Sequence, residues 1–287
     1  EARNGASADA TVFYQVTAMD ALGNVTGFEQ NNGKISSAKS YNQANGHITG
    51  ISANNGTVIQ NNIYLLDSLG NLRSRTRDTL KTGTLGKNET FDYDNLNRLT
   101  HVNGEEQVRY YANGNIRWKY DVGYYCYNSS KPNAVSGIGS DGCSTQSYQY
   151  DNNGNMTAGR GRTITYSDFD KATNIVNAQG DTIFSYGASR DRYKRVTKDN
   201  SSSVTTTTYY IGNVEVVSKS DSNIVTMKRY LPNAIELQRS NSTREINYLH
   251  KDHLGSIDTI TDEHGFIKQK LYFDAWGKKQ LINSSNM

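Results

Sequence analysis

A short unit recurs along this 287-residue chain, and it constrains the fold more than any other feature of the sequence. Each copy opens with an aromatic residue or Met, continues with a Gly/Asn turn, and then alternates polar and apolar residues. The Gly-Asn or Asn-Gly pair supplies the positive-φ positions of a tight turn, and the alternation is typical of a strand with one buried face. Each unit therefore predicts a β-hairpin. The copies begin at Met19, Tyr41, Tyr64, Tyr93, Tyr111 and Tyr150.

A hairpin of this kind cannot bury its apolar face alone. Neighbouring hairpins must pair edge to edge, which predicts an all-β chain with a long antiparallel sheet. The strands lengthen from residue 209 onwards, where Val, Ile and Thr are enriched. We predict a hairpin array over residues 1–208, with a Cys-containing insertion at about 121–147, followed by longer strands over residues 209–287.

The apolar supply is small, because Leu, Ile, Val and Phe together make up 55 of the 287 residues. A single thick core is hard to fill from such a composition, whereas a one-layer wall packs along one face only. The 20 Tyr residues add large, half-polar surface to that face. Such a wall leaves unpaired strand edges, so we expect self-association through them.

Charge and hydropathy exclude two classes of partner. The formal net charge is only +3, with both signs interspersed, so we expect no nucleic-acid binding. No run approaches the roughly 18 consecutive apolar residues of a membrane-spanning helix, so we expect no membrane insertion.

The only two cysteines, Cys126 and Cys143, lie in one Gly/Ser/Asn-rich stretch. We predict that they form a disulfide, which would stabilise the fold by roughly 3 kcal/mol and indicate an oxidising compartment. The alternative is two free thiols. With no further cysteine in the chain, no zinc motif is present, and we predict no metal or cofactor.

The best candidate for local chemistry is the segment His250-Lys-Asp252-His253, where imidazole and carboxylate groups could act in acid/base catalysis or bind a metal. On a strand, residues 250 and 253 point to opposite faces, so the two rings do not converge unless the segment turns. We therefore predict a structural role and no catalytic residue. An enzyme that uses both histidines is the competing hypothesis.

The order of these motifs resembles the Rhs/YD-repeat family, which is named for its Tyr-Asp pair. The resemblance runs from about Met19 to Lys279 and includes the C-terminal segment that begins at Tyr248. It assigns a structural role to three groups of repeat residues. They are Tyr93, Asp94, Gly114 and Asn115; Tyr150, Asp151, Gly154 and Asn155; and Asp252, His253, Leu254 and Gly255.

The resemblance implies a bacterial, secreted shell protein without enzymatic activity. Family members wind their hairpins into a spiralling sheet that closes as a hollow shell around a C-terminal toxin. The expected partners are therefore a toxin or similar cargo polypeptide and the remaining shell segments. The alternative is a cell-surface adhesion or carbohydrate-binding module, because exposed Tyr and Asn side chains can stack on glycans and hydrogen-bond to them.

Overall fold

The computed structural model describes residues 2–3, 12–77, 87–140 and 148–280. Within these ranges the chain consists of strands, turns and short connections, and every strand pairing given is antiparallel. In each sheet the order of the strands is their order along the chain. The prediction of an all-β chain of antiparallel hairpins is confirmed.

The first sheet contains ten strands in the described residues. They are β1 (Ala2–Arg3), β2 (Val12–Met19), β3 (Val25–Gln30), β4 (Ile35–Tyr41), β5 (Ile48–Asn54), β6 (Val58–Leu66), β7 (Leu72–Arg77), β8 (Lys87–Tyr93), β9 (Leu99–Val102) and β10 (Glu105–Glu106). A four-stranded sheet follows, with β11 (Val108–Tyr110), β12 (Ile116–Lys119), β13 (Gly123–Tyr127) and β14 (Val135–Gly139).

The later strands continue the same pattern. They are β15 (Gln149–Tyr150), β16 (Met156–Gly159), β17 (Arg162–Tyr166), β18 (Ala172–Asn177), β19 (Gly180–Tyr186), β20 (Arg192–Asp199), β21 (Thr205–Ile211), β22 (Val214–Lys219), β23 (Thr226–Leu231), β24 (Ala234–Arg239), β25 (Arg244–Lys251), β26 (Ile257–Thr261) and β27 (Ile267–Lys270). A final short pair consists of β28 (Tyr272–Phe273) and β29 (Lys279–Gln280).

The chain divides into two compact units. Unit 1 comprises Glu1–Glu105, Tyr230–Leu237 and Arg244–Met287, and unit 2 comprises Glu106–Arg229 and Gln238–Thr243. The boundary that we predicted at residue 208 separates short hairpins from longer strands, and it stays a prediction.

Unit 1 holds a hydrophobic core between its first sheet and its C-terminal strands. Burial alternates along β6, where Asn62 and Tyr64 are buried while Ile63 and Leu65 are exposed, so one face of the sheet is covered. The covering residues come from the region after residue 230. The core consists of Phe13, Ile35, Ala53, Ile59, Ala234, Ile246 and Tyr248, with Leu231 and Ile267 packed against it.

Unit 2 has few buried side chains. Among its described residues, the buried side chains are those of Val108, Cys126 and Thr208. Most other strand residues are half-buried, as in β18 and β22. The small apolar content of the sequence therefore corresponds to strands whose side chains are mostly half-buried. Cys126 lies in β13, whereas Cys143 lies outside the described residues, so the disulfide between them stays a prediction.

Candidate functional site

The repeated hairpin turn is built on one aspartate. At the tip that follows β8, an oxygen of the Asp94 side chain accepts hydrogen bonds from the backbone N–H groups of Leu96 (2.9 Å) and Arg98 (3.0 Å). The backbone of Asp94 also receives a bond from the N–H of Asn97 and donates one to the carbonyl of Arg98, both at 3.0 Å. A single carboxylate thus satisfies the turn donors that would otherwise face water.

The same pattern of hydrogen bonds occurs at seven tips of the described chain. These tips begin at Asp20, Asp67, Asp94, Asp151, Asp252, Asp262 and Asp274. The hydrogen bond from the Arg98 side chain lowers the pKa of Asp94, and that from the Asn155 side chain lowers the pKa of Asp151. These carboxylates are therefore held in the charged form that the turn requires.

The fourth position of each tip requires a residue that tolerates positive φ. Gly154 and Gly255 occupy it with φ of 90° and 86°, and Asn97 occupies it with φ of 58°. Gly114 (φ 89°) belongs to a variant tip that has Tyr111 in place of the aspartate. There the N–H of Asn115 donates to the side chain of Asn113 at 3.1 Å.

The tyrosine of the Tyr-Asp pair joins one hairpin to the hairpin before it. The hydroxyl of Tyr93 donates to the carbonyl of Leu72 at 3.0 Å. Leu72 directly follows the preceding aspartate turn, which begins at Asp67. The hydroxyl of Tyr150 donates to the carbonyl of Val135 at 2.9 Å. Similar bonds run from Tyr127 to Ile116, from Tyr166 to Met156 and from Tyr186 to Ala172. Aspartate therefore shapes the turns that begin with it, and a tyrosine hydroxyl fixes the position of one hairpin against the hairpin before it.

In unit 1, the first sheet meets the strands and turns of residues 233–237 and 244–273 along a contact that we call the seam. Amide side chains of the first sheet donate hydrogen bonds across it. Gln30 donates to the carbonyl of Asn233 at 3.0 Å, and Gln60 donates to the carbonyl of Lys251 at 3.1 Å. Three further bonds run from Asn31 to Glu263, from Asn55 to Gly265 and from Asn62 to Asp258. Because four of the five amides are buried there and Asn55 is half-buried, the seam leaves little room for alternative registers.

A buried ion cluster lies at one end of the seam. Glu89 accepts hydrogen bonds from Arg75 and from Arg77, each at 2.7 Å, and all three side chains are at most 5% exposed. Arg75 also donates to the carbonyl of Phe273 at 2.8 Å, while the guanidinium of Arg77 lies over the ring of Tyr272 at 5.0 Å from its centroid. The cluster thereby ties β7 and β8 to β28.

The two histidines of the predicted segment contact different partners. His250 is buried in β25, with its Nε2 at 3.1 Å from the hydroxyl of Thr261, and burial lowers its pKa to about 4. The chain turns after β25, so the ring of His253 lies 4.2 Å from that of Tyr64, and burial lowers the pKa of His253. Asp252 shapes the tip. Both rings are thus packing groups of the seam and are neutral at pH 7.

Neither a metal centre nor a membrane span is found in the part of the chain that the structure describes. It contains no group of three His, Cys, Asp or Glu side chains that could hold a metal ion. It also contains no helix with the length and apolar character needed to cross a bilayer.

The ion cluster of Arg75, Arg77 and Glu89 has no counterpart among the residues that we predicted from the sequence. The alternating stretch that holds Arg73, Arg75 and Arg77 is typical of a solvated strand face, and Arg73 does form an exposed ion pair with Asp92. The other two arginines are buried because residues about 200 positions later cover them. A local sequence pattern cannot predict burial by residues that are so distant in the chain.

Comparison with known proteins gives a likeness of fold. No protein-family model and no curated protein matches this sequence. Over 94% of the chain, the structure is similar to a chain of the Photorhabdus luminescens Tc holotoxin pore with a mutated TccC3, with a TM-score of 0.71 and 13% identity. Chains of TcdB2-TccC3 and of TcdB2-TccC3-Cdc42 match over the same share at 14% identity, with TM-scores of 0.71 and 0.70. The chain spans 16% of the length of each of these neighbours.

Proposed function

We propose that this chain is a segment of a shell wall of the Rhs/YD-repeat type, which encloses a cargo polypeptide such as a toxin. The observation that carries the proposal is the seam, where the chain returns to its own first sheet. Gln30 and Asn233 are 203 residues apart, and Gln60 and Lys251 are 191 residues apart. A chain that returns to its own first sheet after about 200 residues has the connectivity of a winding wall.

The chemistry of the seam supports a structural role. Most of its polar side chains are buried in hydrogen bonds and ion pairs or form the hairpin turns. The imidazoles of His250 and His253 pack against the side chains of Thr261 and Tyr64. Such a contact supplies stability and register, whereas catalysis needs reactive groups that converge on an accessible point. We therefore propose a non-enzymatic protein.

The structural neighbours support the same function. They are Tc toxin chains about six times as long as the matched region, so a wall of that length would contain several windings like this one. The proposal includes an extracellular, bacterial setting and further wall segments as partners.

Protease protection of the cargo tests the proposal. The full product of the gene, purified with any polypeptide that it encloses, is treated with proteinase K before and after unfolding of the wall. We expect a polypeptide that resists digestion while the wall is folded and is digested once the wall is unfolded. A matched sample of that polypeptide alone is expected to be digested at once. Equal digestion in all three samples would contradict enclosure.

A glycan array distinguishes the adhesion alternative. Tyr120 and Tyr193 are 70% and 48% exposed, which leaves aromatic surface available for stacking on sugars. The shell proposal expects no glycan to bind at micromolar concentration. Binding that is lost in Tyr120→Ala or Tyr193→Ala would favour an adhesion module.

A further inference from the structure

The seam has an apolar end and a polar end. The apolar end holds the core residues of the first sheet, which are Phe13, Ile35, Ala53 and Ile59. At the polar end, strands β6, β7 and β8 place Tyr64, Arg75 and Glu89 side by side, since Tyr64 pairs with Arg75 and Arg75 pairs with Glu89. Apolar burial therefore closes one end of the seam, whereas charges and hydrogen bonds close the other.

The hairpin tip that begins at Asp252 lies against the polar end. The ring of His253 lies on the ring of Tyr64, with their centroids 4.2 Å apart, and the backbone N–H of His253 donates to the Tyr64 hydroxyl at 3.3 Å. Tyr64 is 3% exposed, and burial raises its pKa, so its hydroxyl stays protonated and neutral. The tip is thus fixed to the first sheet through His253.

This site fits a neutral imidazole. The Nδ1 atom of His253 is buried and has no hydrogen-bond partner among the described residues. A protonated imidazole donates from both ring nitrogens, and a buried donor without a partner costs free energy. Protonation of His253 in the closed seam would leave Nδ1 as such a donor.

The charges near His253 also oppose its protonation. Burial lowers the pKa of His253, the carboxylate of Asp252 in its own tip acts in the opposite direction, and the guanidinium groups of Arg75 and Arg77 lower the pKa further. The Asp252 carboxylate already accepts backbone hydrogen bonds within the tip. Glu89 is the carboxylate shared by the two arginines. A proton on His253 would therefore bring a third positive charge to this end of the seam.

His250 responds at a lower pH. It is 3% exposed, its Nε2 lies 3.1 Å from the hydroxyl of Thr261, and the charged group that acts on it is Lys270 of β27. Burial lowers the pKa of His250 to about 4, so this ring stays neutral at pH 5 while β25 keeps its place. A release of the tip alone at pH 5 therefore depends on His253.

We propose that the polar end of the seam is an acid-sensitive clasp, in which a proton on His253 releases the tip that begins at Asp252 from Tyr64 and from the two arginines. The core and the hairpins stay folded, because the side chain of Asp252 holds the tip through bonds within residues 252–256. This inference goes beyond the proposed function and does not depend on a cargo.

Exchange of arginine side-chain protons, measured by NMR on the purified chain, tests the clasp. The Nε proton of Arg75 is buried against Glu89, whereas Arg73 on the same strand is 42% exposed and serves as the reference at each pH. His253 regains its ordinary pKa of about 6.5 once it is released. The protection of Arg75 relative to Arg73 is therefore expected to fall by about 3-fold to about 30-fold between pH 7.5 and pH 5.

Two variants of His253 separate its proton from its packing. His253→Phe keeps a ring on Tyr64 but accepts no proton, so the protection of Arg75 should change less than about twofold over the same pH range. His253→Gln loses the ring, so protection should be lower at both pH values and equally free of a pH response. His264→Phe is the matched control, because His264 lies in another tip and its side chain is 67% exposed. This control should respond to pH like the unmodified chain.

Circular dichroism at pH 7.5 and pH 5 checks that the sheets remain folded. Equal protection of Arg75 at the two pH values, or a pH response that persists in His253→Phe, would overturn the proposal. Loss of the β-sheet signal at pH 5 would overturn it as well, because the whole fold and not the clasp would then have opened.

Discussion

Replacement of Glu89 by Gln should weaken the seam more than any other single change of similar size. Glu89 is 3% exposed and neutralises two arginines that are equally buried. Gln keeps the shape of the side chain but removes its charge, so two guanidinium groups remain buried without a counter-charge, although an amide oxygen and the carbonyl of Phe273 still accept hydrogen bonds.

The magnitude follows from burial. Removal of one partner from a buried ion pair costs about 3–5 kcal/mol, because an uncompensated charge stays in a medium of low polarity. The neighbouring pair Arg73–Asp92 joins the same two strands, yet its side chains are 42% and 51% exposed. The change Asp92→Asn should therefore cost at most about 1 kcal/mol.

Urea unfolding at pH 7, monitored by tyrosine fluorescence and circular dichroism, measures both variants. We expect a large decrease in the midpoint for Glu89→Gln and a small one for Asp92→Asn. If the two variants lose the same free energy of unfolding, the stability of the seam does not depend on the buried cluster.

Three further predictions concern pH, the hydrogen bonds of the tyrosine hydroxyls, and the cysteines. The pKa of His250 is about 4 in the fold and 6.5 when unfolded, so stability should fall by up to about 3 kcal/mol as the pH drops from 6.5 to 4. His250→Gln should reduce that pH dependence, and an unchanged pH profile of urea midpoints would contradict this. Tyr186→Phe loses a hydroxyl that donates to the carbonyl of Ala172 and should cost about 1 kcal/mol, whereas Tyr120→Phe, at an exposed ring, should cost almost nothing in thermal unfolding. Mass spectrometry of a non-reduced digest should find Cys126 linked to Cys143, and two free thiols would exclude the disulfide.

Local chemistry made the hairpins predictable. Each of these turns has an aspartate followed three residues later by Gly or Asn, as at Asp94 and Asp151. All the hydrogen bonds of the aspartate side chain form within five consecutive residues, so the local sequence is enough to predict the turn. The Tyr-Asp pair was also visible in the sequence. The acceptor of the tyrosine hydroxyl was not, because it lies 21 residues away for Tyr93 and its identity depends on strand register.

The seam was not predictable from sequence patterns. Gln60 and Asn62 resemble exposed strand residues, yet they are 3% and 2% exposed because residues near 251 and 258 cover them. Which hairpin meets the first sheet depends on the accumulated twist and length of the intervening strands. Neither the accumulated twist nor the length of the strands can be predicted from a local sequence pattern.

We propose that the chain winds back onto its first sheet as part of a wall around a polypeptide, and electron cryomicroscopy of the full gene product can show both features. We expect a map in which residues 233–237 and 244–273 lie against the first sheet, with Arg75 at the carbonyl of Phe273, and in which the wall surrounds density for a further polypeptide. A map in which these residues are separate from the first sheet, or in which the wall surrounds no polypeptide, would contradict the claim.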